Sequence, residues 1–386
     1  MKLEGYRRSD GRTGIRNKVL ILPTCACSSE TCMKIAEMVE GTVSFTNQNG
    51  CSQTNLDVQY TIDTLVGFAA NPNVYGTIVV GLGCEVCSAS RIADLIRKRT
   101  DKPLAEFVIQ EGGGTVGTIE KASRAAAAMA EQASMEKKVP IGWSEIIMGT
   151  ECGGTDATSG ISANPAMGAA CDLLVKEGGT AILSETPEFI GAEHILASRA
   201  ATPELSRKIL SIVRSWEDYM KLLKTDLRDS NPSPGNKKGG ISSLEEKSLG
   251  CIYKGGTTEI KDVVGYGEEV RKKGLVIMDT PGNDTASLCA MAAGGAVISL
   301  FSTGRGTPVG NPIMPVIKIT GNRSTFQKMA CNMDFDASPI IRGEKTADEM
   351  GKELFTMIGE VINGRRTKAE ILGMNEIAIA RYCNFT

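Results

Sequence analysis

The chain has 386 residues, a formal charge of −2 at pH 7, an isoelectric point near 5.8 and only 5% aromatic residues. This composition argues against a nucleic-acid or anionic-membrane surface, which would need clustered basic or stacking side chains. The length suggests two or three domains with ample core. No apolar run reaches the roughly 18–20 residues of a membrane span and the first residues lack a signal peptide, so a cytoplasmic location is expected.

The first third of the chain alternates predicted strands and helices. In chain order these are a strand at Lys18–Leu22, helices at about Ser28–Val39 and Leu56–Phe68, a strand at Thr77–Val80, a helix at about Ala89–Lys98, a strand at Leu104–Ile109 and an Ala-rich helix at about Val116–Met135. Such alternation indicates βαβ units and a parallel sheet. A polar break at Lys137–Pro140 ends a smaller N-terminal α/β domain, residues 1–138.

Residues 139–386 are predicted to form a larger, Rossmann-like domain with a mainly parallel sheet, so the fold class is α/β. Its predicted strands are Ile146–Met148, Thr180–Leu183, Leu275–Met278, Val297–Phe301 and Val316–Ile319, and its main helices are about Asp156–Glu177, Pro203–Leu227 and Ala347–Asn363. The segment Asn231–Gly240 is predicted to be neither helix nor strand, because proline and glycine break both.

Three of the twelve cysteines share one local setting. Cys51, Cys84 and Cys152 each follow an apolar run and lie at or next to glycine, where the backbone can approach a ligand closely. Ligands of open α/β sheets collect at the carboxyl ends of strands. Three thiolates there could hold iron, as an ion or as an iron–sulfur cluster. The alternative is three buried structural thiols, since free cysteine behaves as a small hydrophobe.

One acidic segment, Glu185–His194 (ETPEFIGAEH), offers acid–base chemistry. Glu185 directly follows a predicted strand, and Glu193 and His194 come about two helical turns later. These side chains could supply metal ligands or a general acid–base pair. The equally supported alternative is a helix N-terminus, where the dipole favours acidic residues. His194 is the only histidine, which excludes a multi-histidine metal site built from this chain alone.

Two glycine-rich loops carry cationic residues. Asn231–Gly240 contains Asn236 and Lys237 and suits a carboxylate or phosphate, or is a surface linker. Arg305 follows a strand and could clamp a carboxylate. Asp279 ends another strand and could face the same site.

The sequence has no P-loop and no complete G-x-G-x-x-G, which disfavours nucleotide hydrolysis and a Rossmann-type oxidoreductase.

Seven segments together resemble the altronate/galactarate dehydratase family along nearly the whole chain. They are Asp10–Asn17 (DGRTGIRN), Val80–Glu85 (VGLGCE), Glu151–Asp156 (ECGGTD), Glu185–His194, Asn231–Gly240 (NPSPGNKKGG), Met278–Gly282 (MDTPG) and Thr303–Gly306 (TGRG). The resemblance implies the large subunit of a split enzyme, whose small subunit supplies a SAF (β-clip) domain. A homo-oligomer of the large subunit is also expected.

The resemblance further implies an iron-dependent lyase that eliminates water from a 2-hydroxy acid such as altronate or galactarate. The family also includes sulfolactate sulfo-lyase large subunits, which eliminate sulfite. On this hypothesis Cys51, Cys84 and Cys152 bind the iron, as Fe²⁺ or a [4Fe-4S] cluster. Glu185, Glu193 and His194 are the catalytic candidates, and Lys237, Arg305, Asn236 and Asp279 bind the substrate. A non-catalytic binding or assembly subunit with structural cysteines is the alternative of another class.

Overall fold

Two parallel β-sheets form the framework of the chain, of which the computed structural model describes residues 1–383. A four-stranded sheet lies in the N-terminal part and a seven-stranded sheet in the C-terminal part. A third sheet of three short antiparallel strands includes the strand that leads from one part to the other. The α/β prediction, with a smaller and a larger parallel sheet, is confirmed.

The N-terminal part contains seven strands and four helices. They are β1 Leu3–Arg7, β2 Thr13–Gly14, β3 Lys18–Pro23, α1 Ala26–Met38, β4 Thr42–Val43, α2 Asn55–Ala70, β5 Val74–Gly81, α3 Ala89–Arg99, β6 Leu104–Val108, α4 Gly114–Met135 and β7 Val139–Ile141. The parallel sheet has the order β4-β3-β5-β6, and the small antiparallel sheet has the order β2-β1-β7. The predicted helices agree with these bounds to within a few residues.

The C-terminal part contributes the large sheet, in the order β10-β11-β9-β8-β12-β13-β14. Its strands are β8 Ile147–Cys152, β9 Thr180–Leu183, β10 Ile260–Val264, β11 Gly274–Met278, β12 Ile298–Ser302, β13 Val316–Thr320 and β14 Phe335–Asp336. Its helices are α5 Asn164–Lys176, α6 Glu193–Ser198, α7 Pro203–Leu222, α8 Leu227–Ser230, α9 Pro234–Lys238, α10 Leu244–Cys251, α11 Asp284–Ala293, α12 Arg323–Lys328, α13 Ala347–Ile362 and α14 Lys368–Leu372. None of the helices within residues 1–383 is both long and apolar enough to cross a membrane.

The strand order of the large sheet reverses between β8 and β12. The chain builds β8, β9, β10 and β11 towards one edge and then returns to add β12, β13 and β14 on the other side of β8. Every residue of β9, β11, β12 and β13 is buried, which explains why their sequences are mainly apolar. Ligands of such sheets bind outside the carboxyl ends of strands where the order reverses.

The prediction that Asn231–Gly240 contains no helix was wrong. Pro234 opens the short helix α9, and the Ser233 hydroxyl accepts a hydrogen bond from the backbone N–H of Asn236 at 3.3 Å. Proline is well tolerated at the first helical position, because its missing N–H would have no partner there. The prolines therefore mark the start of a helix rather than its absence.

One continuous hydrophobic core joins the two parts of the chain. Helix α2 packs on α11 so closely that a side-chain carbon added at Gly67 would lie 2.6 Å from the carbonyl oxygen of Ala293. The core includes Leu20, Phe45 and Phe68 from the first part and Met278, Leu288 and Phe301 from the second. The two sheets are thus held in one fixed arrangement.

Asn73 is the polar centre of this interface and is fully buried. Its Oδ1 accepts hydrogen bonds from the N–H groups of Ile15 and Arg16 at 2.8 and 3.1 Å. Its Nδ2 donates to the carbonyls of Val297 and Ile313 at 2.8 and 2.9 Å. A single amide group therefore satisfies four buried backbone groups from both parts.

We predict that Asn73→Ala lowers the free energy of unfolding by about 3–5 kcal/mol, because it strands several buried donors and acceptors. Urea denaturation monitored by circular dichroism would measure the loss. Asn55→Ala, at an exposed position, is the control and should stay within about 0.5 kcal/mol of the wild type. An unchanged midpoint for Asn73→Ala would contradict this account of the interface.

Candidate active site

A cavity of about 440 Å³ opens at the carboxyl edge of the large sheet. Loops that follow β8, β9 and β11 form its floor, and the segment from α8 to α10 forms its opposite wall. The chemistry-bearing side chains on its wall are Cys152, Glu188, Asn231, Asn236, Lys247 and Asp284. The cavity therefore lies at the carboxyl ends of strands, where open α/β sheets bind ligands, and it borders β8, beside which the strand order reverses.

Cys152 is the last residue of β8 and is only 4% exposed. Its backbone N–H donates to Glu185 Oε2 at 2.9 Å, and its Sγ lies 3.4 Å from Thr155 Oγ1 and 3.7 Å from Asn164 Nδ2. A hydrogen bond from Cys251 and the positive charge of Lys254 lower the pKa of Cys152 well below its ordinary value, against the effect of burial. These contacts favour the thiolate form of Cys152.

Lys254 is fully buried behind Cys152. Its Nζ lies 2.5 Å from Glu185 Oε2 and 2.8 Å from Cys251 Sγ. Burial acts against its charge, but the neighbouring Cys251 and Glu185 raise the pKa of Lys254 well above its ordinary value. The same Oε2 atom of Glu185 accepts from Lys254 and from the Cys152 backbone, so it links β8, β9 and the segment after α10.

Glu185 itself has a left-handed backbone, with φ of 74°, which is uncommon for a residue other than glycine. Its N–H donates to Thr280 Oγ1 at 2.8 Å, which fixes this conformation at the end of β9. Burial raises the pKa of Glu185 to about 7. Backbone strain held in place by surrounding contacts is typical of functional sites.

Glu151, Glu185 and Asp284 bring three carboxylates together. One oxygen from each lies within 4.8 Å of the other two. Glu151 is fully buried, and burial together with Glu185 and Asp284 raises its pKa well above the ordinary value. Burial also raises the pKa of Asp284, at the start of α11, to about 6. The ends of β8 and β9 and the loop after β11 therefore converge on one acidic cluster.

Glu188 and Lys247 form an ion pair on the cavity wall. Lys247 Nζ donates to Glu188 Oε1 at 2.8 Å and to Asn231 Oδ1 at 3.1 Å, and Asn231 Nδ2 donates to Glu188 Oε1 at 3.0 Å. Glu188 Oε2 is buried and has no hydrogen-bond partner within residues 1–383. The wall thus offers a cation, amide groups and a carboxylate oxygen that is free to accept a proton.

The structure brings some of the predicted site residues into the cavity and leaves others outside. Cys152 and Asn236 line it, and Glu185 lies directly behind Cys152. Arg305 is exposed and donates to the carbonyl of Gly235 at 3.3 Å, while Lys237 is exposed and does not line the cavity.

Asp279 lines a neighbouring cavity of about 310 Å³ rich in tyrosines. Its Oδ1 accepts hydrogen bonds from Thr186 Oγ1 at 2.6 Å and from Trp216 Nε1 at 3.0 Å. Trp216 and Asn283 belong to the walls of both cavities. Asp279 is therefore separated from the Cys152 cavity by this wall.

Glu193 and His194 lie in the first turn of α6 and do not line the cavity. Glu193 Oε2 accepts from the N–H of Gly191 at 2.6 Å, and His194 is exposed. Glu193 thus lies in the first turn of a helix, where the helix dipole favours an acidic residue. This is the alternative to acid–base chemistry that the sequence analysis left open.

Cys51 and Cys84 are exposed on loops at the carboxyl edge of the four-stranded sheet. The two loops are joined by a hydrogen bond from the N–H of Cys87 to the carbonyl of Gly50 at 3.0 Å. Sulfur ligands around one ion, at bonds of about 2.3 Å, lie roughly 4 Å apart. Within residues 1–383, the sulfurs of Cys51, Cys84 and Cys152 do not form a group with separations below 4.8 Å. The three cysteines do not fit a single shared ion in this arrangement, and the iron site stays a prediction.

Sequence reasoning missed Lys254, Cys251, Glu151, Asp284, Glu188 and Lys247 as functional residues. Glu151 precedes Cys152 at a strand end, and Asp284 follows the Met278–Gly282 segment, so position could have indicated both. Lys254 lies 69 residues after its partner Glu185 and carries no local signal. Only the tertiary structure shows that this lysine is buried.

We predict that Lys254→Met lowers the free energy of unfolding by about 3–5 kcal/mol, because it leaves Glu185 buried without a counter-charge. The double variant Lys254→Met/Glu185→Gln should recover part of this loss in urea denaturation. Lys261→Met, which breaks the exposed pair with Glu259, is the control and should change stability by less than about 1 kcal/mol. Equal stability of Lys254→Met and Lys261→Met would contradict the assigned ion pair between Lys254 and Glu185.

Two family models match successive parts of the chain. Residues 5–134 match the second domain of D-galactarate dehydratase/altronate hydrolase, and residues 143–384 match the C-terminal domain of D-galactarate/altronate dehydratase. Together they cover nearly the whole chain.

Individual relatives show the same relationship. The chain is 36% identical to (2R)-sulfolactate sulfo-lyase subunit beta of Chromohalobacter salexigens, over 98% of this chain and 96% of that protein. It is 35% identical to altronate dehydratase of Bacillus subtilis, over 97% of this chain and 77% of that protein. It is 33% identical to galactarate dehydratase (L-threo-forming) of Escherichia coli, over 97% and 76% respectively. The chain therefore belongs to the altronate/galactarate dehydratase family of lyases.

Proposed function

We propose that this chain is the large subunit of a lyase that eliminates a β-leaving group from a 2-hydroxy acid. The observation that carries the proposal is the cavity beside Cys152, which combines anion-binding donors with a free carboxylate oxygen. Its place at the carboxyl ends of the strands, beside the reversal of strand order, and the names of the relatives support the same conclusion.

Lys247 and Asn236 are the proposed ligands of the substrate carboxylate. Lys247 has three N–H donors, and the two contacts to Glu188 and Asn231 leave one for a substrate oxygen. Asn236 is 5% exposed and lies on the same wall, where its amide can add a further hydrogen bond. Charge-assisted hydrogen bonds in a secluded cavity hold a carboxylate strongly.

Glu188 is the proposed base. Its Oε2 takes the proton from C2 of the substrate, the C–H electron pair forms the C2–C3 double bond, and the group on C3 leaves with its bonding electrons. The resulting enol becomes a 2-keto acid by moving its hydroxyl proton to carbon. Lys247 Nζ, 2.8 Å from Glu188 Oε1, holds this side chain in position on the cavity wall.

Water is the first proposed leaving group, with altronate or galactarate as substrate. Sulfite, released from (2R)-3-sulfolactate to give pyruvate, is the second candidate. It is supported by the 36% identity to (2R)-sulfolactate sulfo-lyase subunit beta over 98% of this chain.

The name "subunit beta" of the sulfo-lyase implies a partner subunit for that protein. We propose a corresponding partner here, a small SAF-domain subunit that completes the active enzyme. Its residues would close the cavity and contact the same substrate.

The chain purified together with its small subunit should convert one of the three acids, altronate, galactarate or (2R)-3-sulfolactate, to a 2-keto acid. Lactate dehydrogenase coupling detects pyruvate, a thiol-reactive dye detects sulfite, and semicarbazide detects the longer keto acids. Sulfite release with sulfolactate alone would select the second candidate. No turnover of any of the three would instead favour a non-catalytic assembly subunit.

We predict that Glu188→Gln lowers kcat by about 10²–10⁴-fold with little change in KM, because it removes the base but keeps the size and hydrogen-bonding capacity of the side chain. Lys247→Met should raise KM, because it removes a ligand of the substrate carboxylate. Steady-state kinetics with the converted acid measure both effects. Lys238→Met, exposed on α9, is the control and should retain wild-type constants. Glu188→Gln with full kcat would exclude this residue as the base.

A further inference from the structure

We infer that a cavity at the junction of the two parts of the chain binds one small oxyanion that carries two negative charges, of the phosphate class. The cavity has a volume of about 190 Å³ and is lined by Lys18, Asn311, Arg366 and Asn375, among other residues. None of these four lines the cavity beside Cys152, so anion binding here is independent of the proposed function.

Segments that are distant in sequence meet around this anion cavity. Lys18 is the first residue of β3, Asn311 lies in the loop between β12 and β13, and Arg366 lies just before α14. Arg16, which belongs to the Asp10–Asn17 segment, also lines the anion cavity. The proposed function assigns no role to that segment, whereas its position here indicates one.

Arg16 and Glu370 neutralise each other on the cavity wall. Arg16 Nε and Nη2 donate to the two carboxylate oxygens of Glu370 at 2.7 and 2.9 Å. The other N–H groups of Arg16 donate to the backbone carbonyls of Ile15, Val361 and Arg365, each at 2.9 Å. Every donor of Arg16 is thus used, and the negative charge of Glu370 is balanced by Arg16.

Lys18 and Arg366 therefore bring two positive charges to the cavity without a carboxylate of their own. Lys18 is partly buried, and its Nζ has no hydrogen-bond or ion-pair partner among the described residues. Arg366 donates from Nη2 to the backbone carbonyl of Glu370 at 2.6 Å and forms no ion pair in the part of the chain that the structure describes. An anion with two negative charges would balance both cations.

The surroundings of Lys18 disfavour its charge as long as no anion is bound. Burial lowers the pKa of Lys18 below its ordinary value. Glu370 acts against this shift, whereas Arg16 and Arg366 add to it. A bound anion would reverse the balance, because an opposite charge nearby favours the charged form of lysine.

Asn311 supplies a second, independent indication of a ligand. Its side chain is only 6% exposed, and Oδ1 accepts hydrogen bonds from the N–H groups of Ile313 and Met314 at 3.1 and 3.2 Å. These two contacts fix which side of the amide carries the N–H donors. Nδ2 is buried and has no hydrogen-bond partner within residues 1–383. Buried donors without a partner are rare and costly, and an oxygen of a bound anion would satisfy this one.

The size of the cavity and its donors fit a tetrahedral oxyanion. A volume of about 190 Å³ is several times the ~30 Å³ that one water molecule occupies in the liquid, so the cavity can hold an anion of four oxygens together with some water. The ammonium of Lys18 and the guanidinium of Arg366 supply charge-assisted hydrogen bonds, which are the strong contacts of phosphate sites. The amide of Asn375, on the same wall, can add a further donor.

The test is isothermal titration calorimetry of the full chain with inorganic phosphate, at an ionic strength held constant with sodium chloride. We expect one phosphate bound per chain, and a higher melting temperature in phosphate than in chloride, because a ligand of the folded state stabilises it. Lys18→Met and Arg366→Met should each weaken binding by at least about 10-fold, because each removes a charge-assisted hydrogen bond. Asn311→Asp should abolish binding, because it keeps the acceptor for Ile313 and Met314 but replaces the donor with a negative charge.

Arg365→Met is the matched control. Arg365 is the exposed neighbour of Arg366, but its side chain pairs with Glu360 and does not line the anion cavity. Its loss should leave the phosphate affinity within about 2-fold of the wild type, since exposed charges act weakly at a distance. Circular dichroism verifies folding, and the exposed position of Arg366 keeps the test valid if Lys18→Met does not fold.

A second titration, with phenyl phosphate, identifies the source of the anion. Binding as tight as that of inorganic phosphate would support the phosphate group of a larger molecule as the ligand, and weaker binding would support the free inorganic ion. Absence of bound phosphate, or equal affinity of Arg366→Met and the wild type, would overturn the inference.

Discussion

The ammonium group of Lys254 is the contact on which the geometry of the site depends. It contacts one oxygen of Glu185, and that same oxygen accepts from the backbone of Cys152. Two neighbouring strand ends are therefore tied through a single atom. Without this charge, Glu185 and the Cys152 thiolate would lie buried side by side with no positive group in contact with either.

The sequence was sufficient to predict the α/β class, because strands that are buried on both faces have mainly apolar sequences. It also predicted site roles for Cys152, Glu185 and Asn236, which the structure places in the cavity wall or directly behind it. It could not reveal Lys254, since lysine is ordinarily a surface residue and its partner is distant along the chain.

Other predicted site residues lie at the edges of different sheets, for a physical reason that local pattern does not contain. Cys51 and Cys84 lie at the edge of the four-stranded sheet, while Cys152 lies at the edge of the seven-stranded one. The sequence shows that a residue follows a strand but not to which sheet that strand belongs. Likewise, Asp279 and Asp284 both follow β11 but line different cavities. The wall that Trp216 and Asn283 form lies between those two cavities.

The two family segments share one hydrophobic core. Phe45 and Phe68 of the first segment lie in the same core as Leu288 and Phe301 of the second. Each segment matches its own family model, yet part of the apolar residues of each is covered by the other segment. If the two segments were expressed separately, each would expose a large apolar surface to solvent and tend to aggregate. The two segments are therefore one cooperative folding unit, and heating should melt them in a single transition.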